Sequence, residues 1–188
     1  MTPVERELLL KELDHTRDRL WIIIQGLTPE QLEYREAPDR WSIAENVEHV
    51  ILAEQFILGL VQRILRDAPD SVRSPDALPP GDPGPYGDQD ERLRNTLAES
   101  RKDKLRAPDA LKPTGRWPLA ELWPEFEATR KRTREFTAAA SEDLRRRSAP
   151  HFRFGRLDGC QWLVLIGSHC DRHCAQSERL KTSAGFPR

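Results

Sequence analysis

Apolar residues recur along this chain at alternating intervals of four and three. The first stripe runs Leu9, Leu13, Thr16, Leu20, Ile23, Leu27, and the second Ile43, Val47, Val50, Glu54, Ile57, Val61, Ile64. A third runs Leu119, Leu122, Phe126, Thr129, Thr133, Phe136, Ala140, and a fourth Trp162, Ile166, His169, His173, Gln176, Leu180. That spacing keeps one face of a helix on a packed seam, so the pattern predicts four helices of a bundle. Start signals agree with it. Thr2-Pro3 with Glu5, Ser42 with Glu45, and Asp158 with Gln161 each read as a cap whose partner lies three residues on. Gly26 closes the first helix, and Thr28-Pro29-Glu30-Gln31 restarts a short turn. In the third segment Pro118 suits a first turn, whereas Pro124 implies either a kink or a later start.

Between the second and third stripes the pattern is lost. Six of the fifteen prolines fall within residues 68–88, with Gly81, Gly84 and Gly87 among them. This reads as a long crossing loop inside a single domain of residues 1–188, since too little chain lies on either side for two cores. Residues 89–106 have room for a short polar helix. The class expected is therefore all-α.

Composition narrows the function. With 30 Lys+Arg against 31 Asp+Glu, the net charge is −1. That balance argues against a nucleic-acid binder, which needs a basic face to neutralise phosphates. The basic clusters at 130–134 and 145–147 read as solvated helix surface. No membrane association is expected, because the longest apolar runs, 20–24 and 162–166, fall far short of the roughly 20 residues of a span. Glu5, Arg6 and Glu7 precede the first leucines and leave no signal-peptide core, and the three cysteines are an odd count. A reduced, cytoplasmic protein is expected.

Two polar features interrupt the stripes. Glu54 reads as an edge position reaching water, or else as the partner of a buried cation or a histidine N–H. His169 and His173 occupy successive core positions one helical turn apart, where both imidazoles can reach one metal ion or can be ordinary hydrogen-bonded histidines. His49 lies midway along the second helix. If that helix neighbours the fourth, His49 faces the pair, and three histidines leave a position open for water or substrate. Cys170 and Cys174 point about 100° away from their neighbouring histidines and read as packing residues, like Cys160. His15 reads as a surface residue and His151 as a residue of a pocket mouth.

The run Trp41-Ser42-Ile43-Ala44-Glu45 followed by His49 resembles the W-S-x-x-E-x-x-x-H segment of the DinB/YfiT-like proteins, in particular the DinB_2 group. His151, Gly155, Leu157, Trp162, His169, Arg172, His173 and Gln176 resemble that group's H-P-x-x-G-x-L … W … H-x-x-R-H-x-x-Q ending, with Phe152 where the group often has proline. The resemblance implies an up-down-down-up four-helix bundle, commonly a homodimer, holding one divalent metal through His49, His169 and His173. Zinc or nickel is the first expectation for the ion, iron or manganese the next. Trp41, His151 and Gln176 would line the pocket. Some relatives are metal-dependent transferases that use a low-molecular-weight thiol, and others are described as hydrolases. The expectation is a metal-dependent S-transferase or hydrolase acting on a small molecule. The alternatives are a non-catalytic metal-binding bundle and a metal-free dimeric interaction bundle. Glu45, Glu48 and Glu54 are the carboxylates near enough to consider as a general base, and the sequence assigns the catalytic role to none.

Overall fold

The computed structural model describes residues 1–67, 107–140 and 144–188. The expected crossing loop at 68–88 and the short helix within 89–106 lie outside them. The described residues are mostly helical. In order they form α1 (Pro3–Ile24), α2 (Pro29–Glu33), α3 (Ile43–Asp67), a 3-10 turn at Asp109–Leu111, α4 (Leu119–Ala139), strands β1 (Ser148–His151) and β2 (Gly155–Asp158), and α5 (Gly159–Lys181). α5 packs on α1 and on α3, and α4 packs on the same two helices. No described helix is long and apolar enough to cross a membrane.

The caps form as the sequence implies. Thr2 and Glu5 bond reciprocally at the start of α1, Ser42 and Glu45 at the start of α3, and Asp158 and Gln161 at the start of α5. Each pair satisfies backbone N–H groups that a helix start otherwise leaves unbonded. α4 runs through Pro124 without interruption, beginning directly after Pro118. α1 ends before Gly26, whose φ of 75° is a backbone conformation that suits glycine.

One element was not foreseen. The segment before α5 is a two-stranded antiparallel hairpin, pairing Ser148 with Asp158 and His151 with Gly155. Its strands are four residues each, and one contains Pro150, so no alternating pattern announces them. His151 thus ends a strand. Its Nδ1 accepts from the N–H groups of Arg153 and Phe154, closing a turn completed by Gly155 at φ 75°.

Two apolar clusters form the core. One gathers Leu9, Leu13, Ile57, Val61, Leu157 and Trp162, and the other gathers Leu20, Ile23, Val47, Val50, Ile51, Phe126 and both Cys170 and Cys174. Between their levels lies a polar layer. Arg130 and Glu54 are each about 1% exposed in their side chains and form a forked ion pair, with Nε 3.0 Å from Oε1 and Nη2 2.9 Å from Oε2. The remaining Arg130 Nη1 donates to the Leu13 carbonyl and to the Thr16 hydroxyl. Glu54 is therefore the partner of a buried cation and not a water-facing edge residue, and Arg130 is not solvated surface. The second basic cluster is also partly structural: Arg145 pairs with Asp158 and Glu5, and Arg147 donates to the Ile64 and Leu65 carbonyls in the last turn of α3.

Removing one member of such a pair strands a charge in the core. Glu54→Gln is expected to cost about 3–5 kcal/mol in urea unfolding, while the double change Glu54→Leu with Arg130→Met costs far less. A loss below about 1 kcal/mol for the single change would contradict this account of the polar layer.

Candidate metal centre

α3 and α5 bring three histidines together. His49 comes from α3, and His169 and His173 come from one face of α5. Their ring centroids form a triangle with sides of 4.9, 4.8 and 4.6 Å. One nitrogen from each lies within 4.8 Å of the others, so the trio can hold a metal ion. His49 and His173 are buried and His169 is half-buried, which leaves His169 on the accessible side.

Hydrogen bonds decide which nitrogens face inward. His49 Nδ1 is 2.7 Å from the Leu111 carbonyl of the 3-10 turn. A carbonyl only accepts, so Nδ1 carries the proton and Nε2 presents a lone pair. His173 Nδ1 is 2.8 Å from Asn46 Oδ1. The Asn46 amide is itself oriented by its Nδ2 donating to the Ser42 carbonyl, 2.9 Å away, so the same logic gives His173 a lone pair at Nε2. That lone pair accepts from Arg172 Nη2 at 2.9 Å.

His49 Nε2 lies 3.2 Å from His169 Nε2. Two bare lone pairs repel at that separation, so a proton or a cation must lie between them. Two nitrogens bound to one tetrahedral ion at about 2.0–2.1 Å stand about 3.3 Å apart, close to the spacing found. The donor set therefore fits a divalent ion of imidazole preference.

Burial holds the trio neutral, the state that binds metal. It pushes His49 down to about 4, against the Leu111 hydrogen bond and with help from the Arg172 charge. His169 and His173 are driven well below the usual histidine range by the same burial, with neighbouring rings and Arg172 adding to it.

The other expected residues divide. Trp41 is half-buried beside two of the three, its ring 4.7 Å from that of His49 and 6.1 Å from that of His173. Gln176 is half-buried on α5 three residues after His173 and works against the burial penalty on that histidine's charged form. His151 is not one of the three grouped histidines, though its charged form would act on His169. Its ring packs on Phe152, Phe154 and Trp162, with centroids 4.6, 4.6 and 5.2 Å away. His15 is exposed, and all three cysteines are free and buried.

The carboxylates considered as bases are engaged elsewhere. Glu45 caps α3 and pairs with Arg35, and Glu54 holds Arg130. Glu48 is buried and accepts from the N–H groups of Thr114, Gly115 and Arg116 at 2.8, 2.9 and 3.2 Å. It thereby fastens to α3 the stretch that follows Leu111. Asn46 and the Leu111 carbonyl were not foreseen as contributors, and Glu48 was considered as a base and not as a fastening for this stretch. Asn46 left one signal, a polar residue one turn before His49. The carbonyl of a loop leaves none.

A family model of the DinB superfamily matches residues 12–177. The chain belongs to the DinB superfamily. It is also similar to the uncharacterized protein YuaE of Bacillus subtilis (strain 168), with 24% identity over 169 residues, covering 89% of this chain and 94% of that protein. The DinB match includes His49, His169 and His173.

The histidine shifts fix a pH dependence. The unfolded chain takes up histidine protons near pH 6.5, whereas folded His49 takes one up only near 4. Between those values the unfolded state binds more protons, so stability rises with pH there. The stability these neutral histidines confer is whole above about pH 6.5 and is lost as the pH falls toward 4. Urea unfolding of metal-free protein at pH 7.5, 6 and 5 should show that decline, with a shallower slope for His49→Gln. A flat profile would contradict it.

Proposed function

We propose that this DinB-superfamily protein is a divalent-metal-dependent enzyme acting on a small molecule, as a thiol-dependent S-transferase or a hydrolase. The observation that carries the reading is the convergence of three neutral imidazoles whose Nδ1 protons are held outward at two of the three positions. Such a set contributes no negative charge, so a bound ion keeps its full +2. The ion would supply the acidity that converts a thiol or a water into a nucleophile near neutral pH.

The chain's own residues do the rest. Leu111 and Asn46 orient the rings of His49 and His173. Trp41 covers them and limits water on that side. The half-buried His169 marks the face from which a small molecule reaches the site. Since Glu45, Glu48 and Glu54 all hold structural partners, the reading assigns no side-chain general base and favours chemistry in which the nucleophile is activated by the ion. A thiol cosubstrate meets that condition, and the buried cysteines need take no part.

The reading extends to architecture. α1, α3, α4 and α5 would form an up-down-down-up four-helix bundle in a single domain, assembled as a cytoplasmic homodimer, with zinc or nickel as the ion.

Elemental analysis of purified protein tests the site. Wild type should carry about one equivalent of zinc, nickel or another divalent metal, and His49→Ala and His173→Ala should lose most of it. A full equivalent in both variants would refute the three-histidine assignment. Reaction class is read by turnover of an electrophile with assorted thiols. Metal removal should abolish the rate and re-addition restore it, whereas a rate indifferent to metal would remove the mechanism.

A further inference from the structure

The stretch that orients His49 is itself held by the residue before His49. The Leu111 carbonyl accepts the Nδ1 proton of His49 at 2.7 Å. Three residues on, the N–H groups of Thr114, Gly115 and Arg116 converge on the Glu48 carboxylate, and the Thr114 hydroxyl adds a contact at 3.3 Å. Thr114–Arg116 lie in no helix or strand, so no ladder serves those N–H groups. Glu48 is 2% exposed, and a carboxylate so buried needs such donors. Gly115 has a φ of 72°, and a Cβ added there would meet nothing within 4 Å. Glycine is required by the backbone conformation that turns the N–H groups together, not by lack of space.

These contacts close a ring. Glu48 and His49 are consecutive on α3, while Leu111 and Thr114 are separated by at most about 10 Å of chain. Releasing Glu48 therefore frees the Leu111 carbonyl to drift. Without that acceptor the His49 proton can sit on either nitrogen, and on Nε2 it occupies the lone pair that a metal needs. The converse also holds. A metal on Nε2 confines the proton to Nδ1, where it donates to Leu111 and draws the stretch onto α3.

Resting on the three-histidine metal reading, we propose that docking of residues 111–116 on α3 and metal binding are one coupled equilibrium, with Glu48 as the positioning residue that links them. The coupling is reciprocal. Any contact that pulls this stretch off α3 lowers the affinity for metal, and the bound metal holds the stretch down. Glu48 so acts on the centre through Leu111 and His49, without touching the ion.

The test uses the full-length protein and zinc in a chelator competition. Glu48→Gln sets an amide donor against backbone donors, and its zinc Kd should rise tenfold or more. Glu48→Asp, which keeps the charge on a shorter arm, should fall between it and wild type. Gly115→Ala strains the same contact from the loop side and should also weaken zinc, which keeps the test open if Glu48→Gln does not fold. Leu157→Ala, which opens a cavity in the other apolar cluster, is the control for lost stability and should leave the zinc Kd within twofold. In wild type, zinc should slow amide exchange at Thr114, Gly115 and Arg116 about tenfold, as reciprocity requires. In metal-free Glu48→Gln, proton–nitrogen correlation should show the His49 proton shared between Nδ1 and Nε2.

A zinc Kd within twofold of wild type in both Glu48→Gln and Gly115→Ala overturns the coupling. Equal weakening by Leu157→Ala overturns the positioning role, since lost stability then accounts for the effect. A wild type that takes up no metal overturns the three-histidine reading. The His49 proton then still decides the role of Glu48: movement off Nδ1 in metal-free Glu48→Gln supports it, and a proton that stays there overturns it.

Discussion

Two acceptors on the outer side of the histidine rings govern this site. The Leu111 carbonyl takes the Nδ1 proton of His49, and the Asn46 amide oxygen takes that of His173. Each bond settles a choice that a free imidazole leaves open, and each turns a lone pair inward. In water those tautomers would interconvert and the rings would compete for protons. In a core that excludes water, charging them is costly, and the inward lone pairs stay available for a cation. The chemistry proposed for the protein depends on that arrangement more than on the presence of three histidines.

α3 does much of the arranging. Over its first turns it supplies Asn46 to orient His173, Glu48 to fasten the stretch following Leu111, and His49 itself. Farther along it supplies Glu54, which fixes Arg130 between the two apolar clusters. The forked Glu54–Arg130 pair also reaches α1 through Thr16 and the Leu13 carbonyl, so three long helices share one polar contact. Buried pairs of this kind add little net stability over an apolar replacement. We read this one as a fixing of register: it sets how α1, α3 and α4 slide against each other, and α3 carries His49 with it.

The helical stripes were readable because position along a periodic seam determines burial, whatever residue occupies it. Thr16, Glu54, Thr129, Thr133 and His173 are all buried where the pattern calls for apolar residues. The same pattern found the histidine trio, since two of its members sit on the seam itself. Partners across the fold were less readable. Arg130 lies 76 residues from Glu54 within a basic run that looks like helix surface, so neither member predicted the other. The β1–β2 hairpin is too short and too broken by Pro150 to show a period of two. The acceptor for His49 is a backbone carbonyl, which carries no residue signature at all.

The central claim concerns lone pairs, so nitrogen-resolved NMR of the histidine side chains tests it most directly. Long-range proton–nitrogen correlation separates a protonated ring nitrogen from a bare or metal-bound one. In metal-free protein near pH 7.5, His49 and His173 should each show a protonated Nδ1 and an unprotonated Nε2. One equivalent of zinc should shift both Nε2 signals and that of His169 while leaving Nδ1 of His49 and His173 protonated. Protonated Nε2 at His49 and His173, unmoved by zinc, would contradict the account.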